Sequence, residues 1–207
     1  KIHQPSHIFL IVGESYSQPY FDPAFSDLHI ADEGKRLMAD PHTASIPTTL
    51  SAGIISRPSI VSLMLGIFDA GLELNEREAF WKGTLPTSLP LQLRKLGYES
   101  NYWYGGSLSN GNFSHFAPAC GFNHSYSAID ICTPDAPRSW VGVYDDVFLQ
   151  RAAEIIQEDK EPLQFHFIYT TSNHGPYKMP LKQLGFDAKK IMKVQDDVLQ
   201  EKIIPKV

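Results

Sequence analysis

The sequence predicts an α/β fold in which helices lie on both sides of a mainly parallel sheet. Residues 8–12 and 163–170 are almost continuously apolar, which is typical of buried parallel strands. Residues 99–104 are strand-like and follow a helical pattern and a glycine, which is the order of elements in a βαβ unit. Each of these segments leads directly into a loop with polar or glycine residues. We therefore expect the functional side chains to gather at the carboxyl edge of one sheet.

The first half of the chain predicts one strand and two helices. The strand at 8–12 ends at Gly13, and we expect it to be buried on both faces. Residues 43–56 are rich in Thr, Ser, Gly and Ala and predict a loop. A helix is predicted to begin near 56–59, because Pro58 suits a first helical turn, and to end at Gly66. Residues 87–96 predict a second helix, with Gly97 as its C-cap.

The second half of the chain predicts two more strands and one long helix. After the strand at 99–104, residues 105–140 are expected to be irregular, and so long a loop in a compact domain is usually functional. Residues 145–158 predict an amphipathic helix. The last strand, 163–170, contains His166, which we expect to be a satisfied core histidine. Residues 178–207 form a weakly patterned tail in which 187–199 could be helical.

Composition excludes some classes of protein. The 207 residues carry a net charge of −5, which argues against a nucleic-acid binder, since such proteins usually have a basic face. The longest uninterrupted apolar run, 8–12, is too short to cross a membrane. Cys120 and Cys132 fit no zinc motif, and either a disulfide or two unrelated reduced thiols is consistent with them.

Three polar groups could carry chemistry. Glu14 follows the first strand, where a carboxylate can hold a divalent cation, although a surface or capping role is equally consistent. Ser56 and Arg57 open a helix, whose N-terminus attracts phosphate or sulfate, although Ser56 alone could simply be a cap. His174 lies in the loop after the last strand and could bind substrate or be an ordinary loop histidine. An α/β-hydrolase elbow is poorly matched, because Ser17 stands where its second glycine should be.

Several segments, taken in order, resemble one superfamily. Residues 8–15 (IFLIVGES) resemble its first strand and metal-binding Glu, and residues 56–59 (SRPS) resemble its signature, in which the first residue is the nucleophile. Three more segments match in the same order. The end of a helix resembles 93–98 (LRKLGY), and a loop before a turn resembles 112–122. The last strand and its "SNHxPF" loop resemble 167–177. The superfamily is that of alkaline phosphatases and sulfatases. Within it, the resemblance is to the lipoteichoic-acid synthase and phosphoethanolamine transferase branch.

This resemblance implies an alkaline-phosphatase-like fold and a metal-dependent phosphotransferase or phosphohydrolase. It would act on phospholipid head groups or related phosphodiesters through a covalent phospho-Ser intermediate. Glu14 and Ser56 would bind one divalent ion (Mn, Zn, Mg or Ca), and Ser56 would also be the catalytic nucleophile. The remaining implied residues would bind the substrate: His174, Arg57, Asn112, Phe113 and His115. Sulfate-ester hydrolysis is an alternative, but Ile60 stands where the sulfatase signature ends in Arg.

The sequence also departs from the pattern of the superfamily. The further metal ligands, an Asp and an Asp-His pair on a later strand, are not found, since no Asp-His dipeptide occurs. We therefore expect a single catalytic domain over residues 1–207 that is the N-terminal part of a larger one. The parent protein would be anchored in the inner or cytoplasmic membrane, with this domain facing the periplasm or the exterior. The sequence is also consistent with a binding module that has lost catalysis, or with a hydrolase that uses Ser15 or Ser59.

Overall fold

The computed structural model describes residues 3–46, 49–83 and 85–176. Within them the chain forms two compact units, and the larger runs from the start to Glu14 and from Leu50 to Gly175. The smaller unit contains residues 15–49. Its elements are two 3₁₀ helices, Gln18–Phe21 and Pro23–Leu28, and helix α1, Asp32–Met38.

The larger unit is built on a parallel sheet. In the described part of the chain the sheet has the strands β1 (His7–Val12), β2 (Glu99–Tyr104), β3 (His124–Ser127) and β4 (Gln164–Tyr169). They lie in the order β1-β4-β2-β3, and every neighbouring pair is parallel. The predicted α/β class with a mainly parallel sheet is therefore confirmed.

The strands end level with one another. Val12 is opposite Tyr169, Tyr169 is opposite Tyr104, and Tyr104 is opposite Ser127. Because the carboxyl ends form one row, the loops that follow the strands emerge at one edge of the sheet. This register brings together segments that are far apart in the sequence.

Helices cover the sheet from two sides. The helices of the larger unit are α2 (Ser56–Leu65), α3 (Glu78–Trp81), α4 (Leu89–Arg94), α5 (Phe113–Ala119), α6 (Ala128–Ile131) and α7 (Asp145–Glu158), with 3₁₀ turns at Leu74–Glu76 and Asn110–Asn112. Alternation along a strand sends neighbouring side chains to opposite faces. Tyr102 and Phe167 therefore join the core under α2 and α5, whereas Trp103 and Ile168 join the core under α7.

Most of the predicted elements are confirmed. The strands at 99–104 and 163–170 and the helix at 145–158 are found at or within one residue of the predicted bounds. Helix α2 begins at Ser56 and ends at Leu65, and its C-cap is Gly66, whose φ of 68° is the left-handed conformation that glycine adopts without strain. Helix α4 is shorter than predicted. The predicted helical segment at 187–199 lies outside the described residues.

Two predictions were wrong. Strand β1 is not buried on both faces, because exposure alternates along it and Phe9 and Ile11, on one face, are 50% and 60% exposed. An apolar run indicates a preference for burial but not which face is covered. Residues 105–140 are not irregular, since they contain α5, β3 and α6. Strand β3 escaped prediction because it is short and hydroxyl-rich, and helix α5 because it contains Pro118.

The two cysteines are free thiols, so the disulfide alternative is not supported. Cys120 is buried in the core on the Tyr102 face of the sheet, and Cys132 packs against the core on the Trp103 face. The sheet therefore lies between the two sulfur atoms. Among the described residues no helix is both long and apolar enough to cross a membrane.

Candidate functional site

The predicted nucleophile and the predicted metal-binding carboxylate are in contact. The Ser56 hydroxyl donates a hydrogen bond of 2.8 Å to Oε2 of Glu14, across 42 positions of sequence. Glu14 is placed by the end of β1, and Ser56 is placed by the start of α2. The two residues identified separately in the sequence thus belong to one partly buried site.

A third oxygen, from Tyr169, joins this pair. The Tyr169 hydroxyl donates to the same Oε2 atom of Glu14 at 2.6 Å, and Tyr104 stacks on its ring at 5.0 Å. Burial raises the pKa of Tyr169, and the adjacent Glu14 carboxylate raises it further. Tyr169 is thereby held as a neutral donor. Tyr169 is not among the site residues predicted from the sequence, although its position as the last residue of β4, at the carboxyl edge, was a usable signal.

Ser56 is free of a capping role. The N-cap of α2 is Ile55, which makes no side-chain capping bond, and Ser56 is the first helical residue. The capping alternative for Ser56 is therefore wrong. The first backbone N–H groups of a helix have no partner within the helix, and the helix dipole adds partial positive charge there. The Ser56 hydroxyl thus lies where an incoming anion is stabilised.

Arg57 and Asn112 contact a common carboxylate that the sequence analysis missed. The Arg57 guanidinium donates to Oε1 of Glu76 at 3.4 Å, and the Asn112 amide donates to Oε2 of Glu76. The Asn75 amide also donates to Oε1, at 3.2 Å. Glu76 therefore holds two of the predicted substrate-binding residues in place, although it lies outside every motif considered.

A cleft of about 360 Å³ lies in front of Ser56. Its walls are aromatic and apolar, and a few polar groups converge in it, which is the usual composition of a small-molecule site. Phe113 lines this cleft, as predicted for a substrate contact, and Asn112 does not. The cleft is lined by Ile55, Ser56, Arg57, Tyr104, Asn110, Phe113, Trp140, Val141, Tyr169 and His174.

His174 reaches this cleft from the loop after β4. Its ring meets the exposed Trp140 edge to face, with 5.1 Å between the ring centres. Its Nδ1 lies 2.7 Å from the carbonyl oxygen of Gly175. Because a carbonyl only accepts, Nδ1 carries the hydrogen in this contact, and Nε2 is left for other partners.

His115 is in a different place from the one predicted. It stacks on Trp81 with ring centres 4.6 Å apart, in a separate cleft of about 440 Å³ that Arg94 also lines. Phe113 and His115 lie on the same short helix two positions apart, and such residues do not share a helix face. The helix therefore brings Phe113 to the Ser56 cleft and directs His115 elsewhere.

The alternative nucleophile Ser59 is less well placed than Ser56. The Ser59 hydroxyl donates to the backbone oxygens of Ile55 and Gly53, at 3.0 and 3.2 Å, which is a structural role. Ser15 belongs to the smaller compact unit.

The oxygens of Glu14 and Ser56 suit a hard divalent cation, which prefers carboxylate and other oxygen ligands. Within residues 3–46, 49–83 and 85–176, no group of three or more His, Cys, Asp or Glu side chains is arranged to hold a metal ion. Because both are oxygen donors in contact with each other, Glu14 and Ser56 fit such an ion as two of its ligands.

Comparison with known proteins identifies a family and two similar folds. The model of the sulfatase family matches residues 6–190. The fold resembles that of the lipoteichoic acid synthase LtaP from Listeria monocytogenes, with 16% identity and a TM-score of 0.54. It also resembles the C-terminal periplasmic domain of EcEptC from Escherichia coli, with 15% identity and a TM-score of 0.59.

These matches cover 70% and 94% of the chain. A protein of the alkaline phosphatase superfamily from Vibrio parahaemolyticus matches at 25% identity over 52% of the chain, with a TM-score of 0.44. The chain covers only 26%, 40% and 54% of the Vibrio, Listeria and Escherichia structures, respectively.

Proposed function

The chain belongs to the sulfatase family, and on that premise we propose that it is part of a metal-dependent phosphotransferase or phosphohydrolase with Ser56 as its nucleophile. The observation that carries this proposal is the 2.8 Å contact between the Ser56 hydroxyl and Glu14 at the N-terminus of α2. The Ser56 hydroxyl is hydrogen-bonded to a carboxylate, faces a cleft and lies beside an arginine. These are the surroundings of an activated nucleophile.

Glu14 and Ser56 would hold one divalent cation, whose identity among Mn, Zn, Mg and Ca is open. When bound, such a cation increases the acidity of a hydroxyl ligand and offsets the negative charge of the group under attack. The other contributions come from the chain itself. The N-terminus of α2 and the Arg57 guanidinium provide positive charge for phosphoryl oxygens, and His174 provides a ring nitrogen on the far side of the cleft.

The proposed reaction has two steps. The Ser56 oxygen forms a bond to phosphorus while the bond from phosphorus to the leaving oxygen breaks. The proton that the Ser56 hydroxyl loses, which is hydrogen-bonded to Oε2 of Glu14, is balanced by the proton that the leaving oxygen gains as it departs as an alcohol. This step yields a phospho-Ser enzyme. An acceptor hydroxyl or water then attacks the same phosphorus, the bond from phosphorus to the Ser56 oxygen breaks, and the proton that the acceptor loses restores the Ser56 hydroxyl.

The proposed substrates are phospholipid head groups or related phosphodiesters. The net charge of −5 and the anion-binding helix terminus favour a small anionic group over nucleic acid as the ligand. The similarity to the EcEptC domain, which is periplasmic, supports a location of this domain in the periplasm or outside the cell. The parent protein would be anchored in the membrane beside its lipid substrate.

The test compares Ser56→Ala with Ser59→Ala in the complete gene product, because the chain spans only part of its solved relatives. With bis(4-nitrophenyl) phosphate and added divalent metal, Ser56→Ala should lower turnover by about a thousandfold or more. Ser59→Ala, in the same helical turn, should retain most of it. Mass spectrometry should find a 4-nitrophenyl phosphate ester on Ser56 of the wild type after acid quenching, because the first step releases only one of the two nitrophenol groups.

Unchanged turnover in Ser56→Ala would refute the proposal. A parallel assay with 4-nitrophenyl sulfate separates phosphate chemistry from the sulfatase alternative. Activity only on the sulfate ester would select that alternative. No activity on either ester and no metal uptake would favour a binding module of the same fold.

A further inference from the structure

The loop that carries His174 is held by a side chain from a distant helix. Asp145, the first residue of α7, accepts hydrogen bonds through Oδ1 from the backbone N–H of Thr171 at 2.9 Å and of Ser172 at 3.2 Å. Its Oδ2 lies 3.1 Å from the same Ser172 nitrogen. One carboxylate therefore fixes two successive peptide groups of the loop.

The contact is reciprocal. The backbone N–H of Asp145 donates to the Ser172 hydroxyl at 2.7 Å. The first N–H groups of a helix need partners from outside the helix, and the N-cap residue Tyr144 makes no side-chain capping bond. The Ser172 hydroxyl therefore caps the start of α7, while the Asp145 carboxylate binds the backbone N–H groups of the loop after β4.

This junction leads directly to His174. The backbone N–H of His174 donates to the carbonyl oxygen of Thr171 at 3.0 Å, which closes a turn over Thr171–His174. Asp145 holds the peptide N–H groups at the start of this turn, and His174 is its last residue. A displacement of Thr171 and Ser172 would therefore move the His174 ring relative to the Ser56 cleft.

The carboxylate is partly desolvated. Burial raises the pKa of Asp145, whereas the hydrogen bonds from Thr171 and Ser172 act in the opposite direction. Hydrogen bonds to an ionised acceptor are about twice as strong as neutral ones. The adjacent residue Asp146 is exposed and belongs to the same acidic first turn.

We infer that Asp145 is a positioning residue, which places His174 in the Ser56 cleft by holding the backbone of Thr171 and Ser172. This inference rests on the proposed function, because it takes His174 to be a substrate contact. Asp145 itself does not line the cleft and touches no reacting atom. Its effect on the reaction passes through His174.

The matched variants are Asp145→Asn and Asp146→Asn. Each removes one negative charge from the first turn of α7, so their effects on the helix dipole are similar. Only Asp145→Asn replaces one of the two carboxylate oxygens that face the Ser172 N–H with an NH2 group, which cannot accept and repels that N–H, and it removes the charge from the oxygen that remains. Ser172→Ala is a milder variant of the same junction that leaves the backbone bonds to Asp145 available.

The kinetic test is a double-mutant cycle with bis(4-nitrophenyl) phosphate. We expect His174→Ala and Asp145→Asn each to lower kcat/KM by about tenfold or more, Ser172→Ala by less, and Asp146→Asn by less than about twofold. In the His174→Ala background, Asp145→Asn should cause almost no further loss. A merely structural role would instead give losses that multiply.

The second test does not depend on activity. Hydrogen exchange followed by NMR should show the Thr171 and Ser172 amides exchanging at least about tenfold faster in Asp145→Asn than in Asp146→Asn, with the amides of strand β2 unchanged. Unchanged exchange, or losses that multiply in the cycle, would overturn the inference even when Ser56→Ala confirms the nucleophile. If His174→Ala has no kinetic effect, the inference also fails, and the role of Ser56 stands. If Ser56→Ala keeps its activity, the proposed function fails, and the inference is overturned with it.

Discussion

His166 should make the stability of the protein depend on pH in a way that can be calculated. Its side chain is completely buried in β4, and its Nδ1 accepts a hydrogen bond of 3.2 Å from the Trp103 indole. An indole only donates, so Nδ1 has to be unprotonated in the folded state. The exposed Phe9 ring stacks on the imidazole of His166, with 4.8 Å between the ring centres.

Burial, and secondly the adjacent His7, lower the pKa of His166 from its ordinary 6.5 to about 4. The unfolded chain therefore binds a proton at this residue between pH 6.5 and 4, where the folded protein does not. The contribution of neutral His166 to the free energy of unfolding should be fully present above pH 6.5 and should decrease as the pH drops towards 4. At about 1.4 kcal/mol per pKa unit, His166 contributes at most about 3 kcal/mol to this loss.

The measurement is urea unfolding of wild type and His166→Gln at intervals from pH 4 to 7.5. Glutamine keeps an oxygen that can accept from Trp103 but cannot titrate. The difference in free energy of unfolding between the two proteins should change by about 2–3 kcal/mol across this range. The control variant is His42→Gln, at an exposed histidine. The difference in free energy of unfolding between wild type and His42→Gln should change by less than about 0.5 kcal/mol across the same pH range. A difference between wild type and His166→Gln that stays constant with pH would refute the reasoning.

Two further predictions concern packing. A thiol reagent should label Cys132 in the folded protein. It should label Cys120 only after unfolding, because this thiol is buried and burial raises its pKa. An intact mass that is lower by two hydrogens would instead indicate a disulfide. Gly142→Ala should reduce the free energy of unfolding by about 2 kcal/mol or more, because its Cβ would lie 2.1 Å from the carbonyl oxygen of Gly105. Gly83→Ala, whose Cβ would approach the nearest atom at 3.7 Å, is the control in the same urea titration, and equal stability of the two variants would contradict the clash.

Local patterns predicted those elements whose signals lie within a few residues of each other. The amphipathic period of α7, the continuous apolar character of β4, and Pro58 with Gly66 around α2 are all short-range features, and these elements formed as predicted. Strand β3 and helix α5 lack such signals and depend on the neighbours that they pack against. The exposed face of β1 was mispredicted for the related reason that coverage of a face depends on which distant segments pack on it.

The candidate site divides in the same way. The sequence identified Glu14, Ser56, Arg57 and His174 from the residue types that follow strands or open a helix. Tyr169 was missed although it ends a predicted strand at the carboxyl edge, where its role depends on the distant Glu14. Trp140 and Glu76 carried no signal in the sequence, because each contributes through a contact with a residue elsewhere in the chain. The sequence placed His115 in the site, whereas the direction of α5 places this side chain in another cleft.

The sequence by itself determined the class of fold, a helix that begins near 56–59, and an ordered set of motifs that resembles the sulfatase family. The tertiary structure alone decided that the described strands end level and that the starts of α2 and α7 lie beside these strand ends. This arrangement places Ser56 within 2.8 Å of Glu14 and joins Asp145 to the loop that carries His174. The physical reason is that helix and strand preferences act over a few residues. Strand register and helix direction are instead set by packing between segments that the sequence keeps far apart.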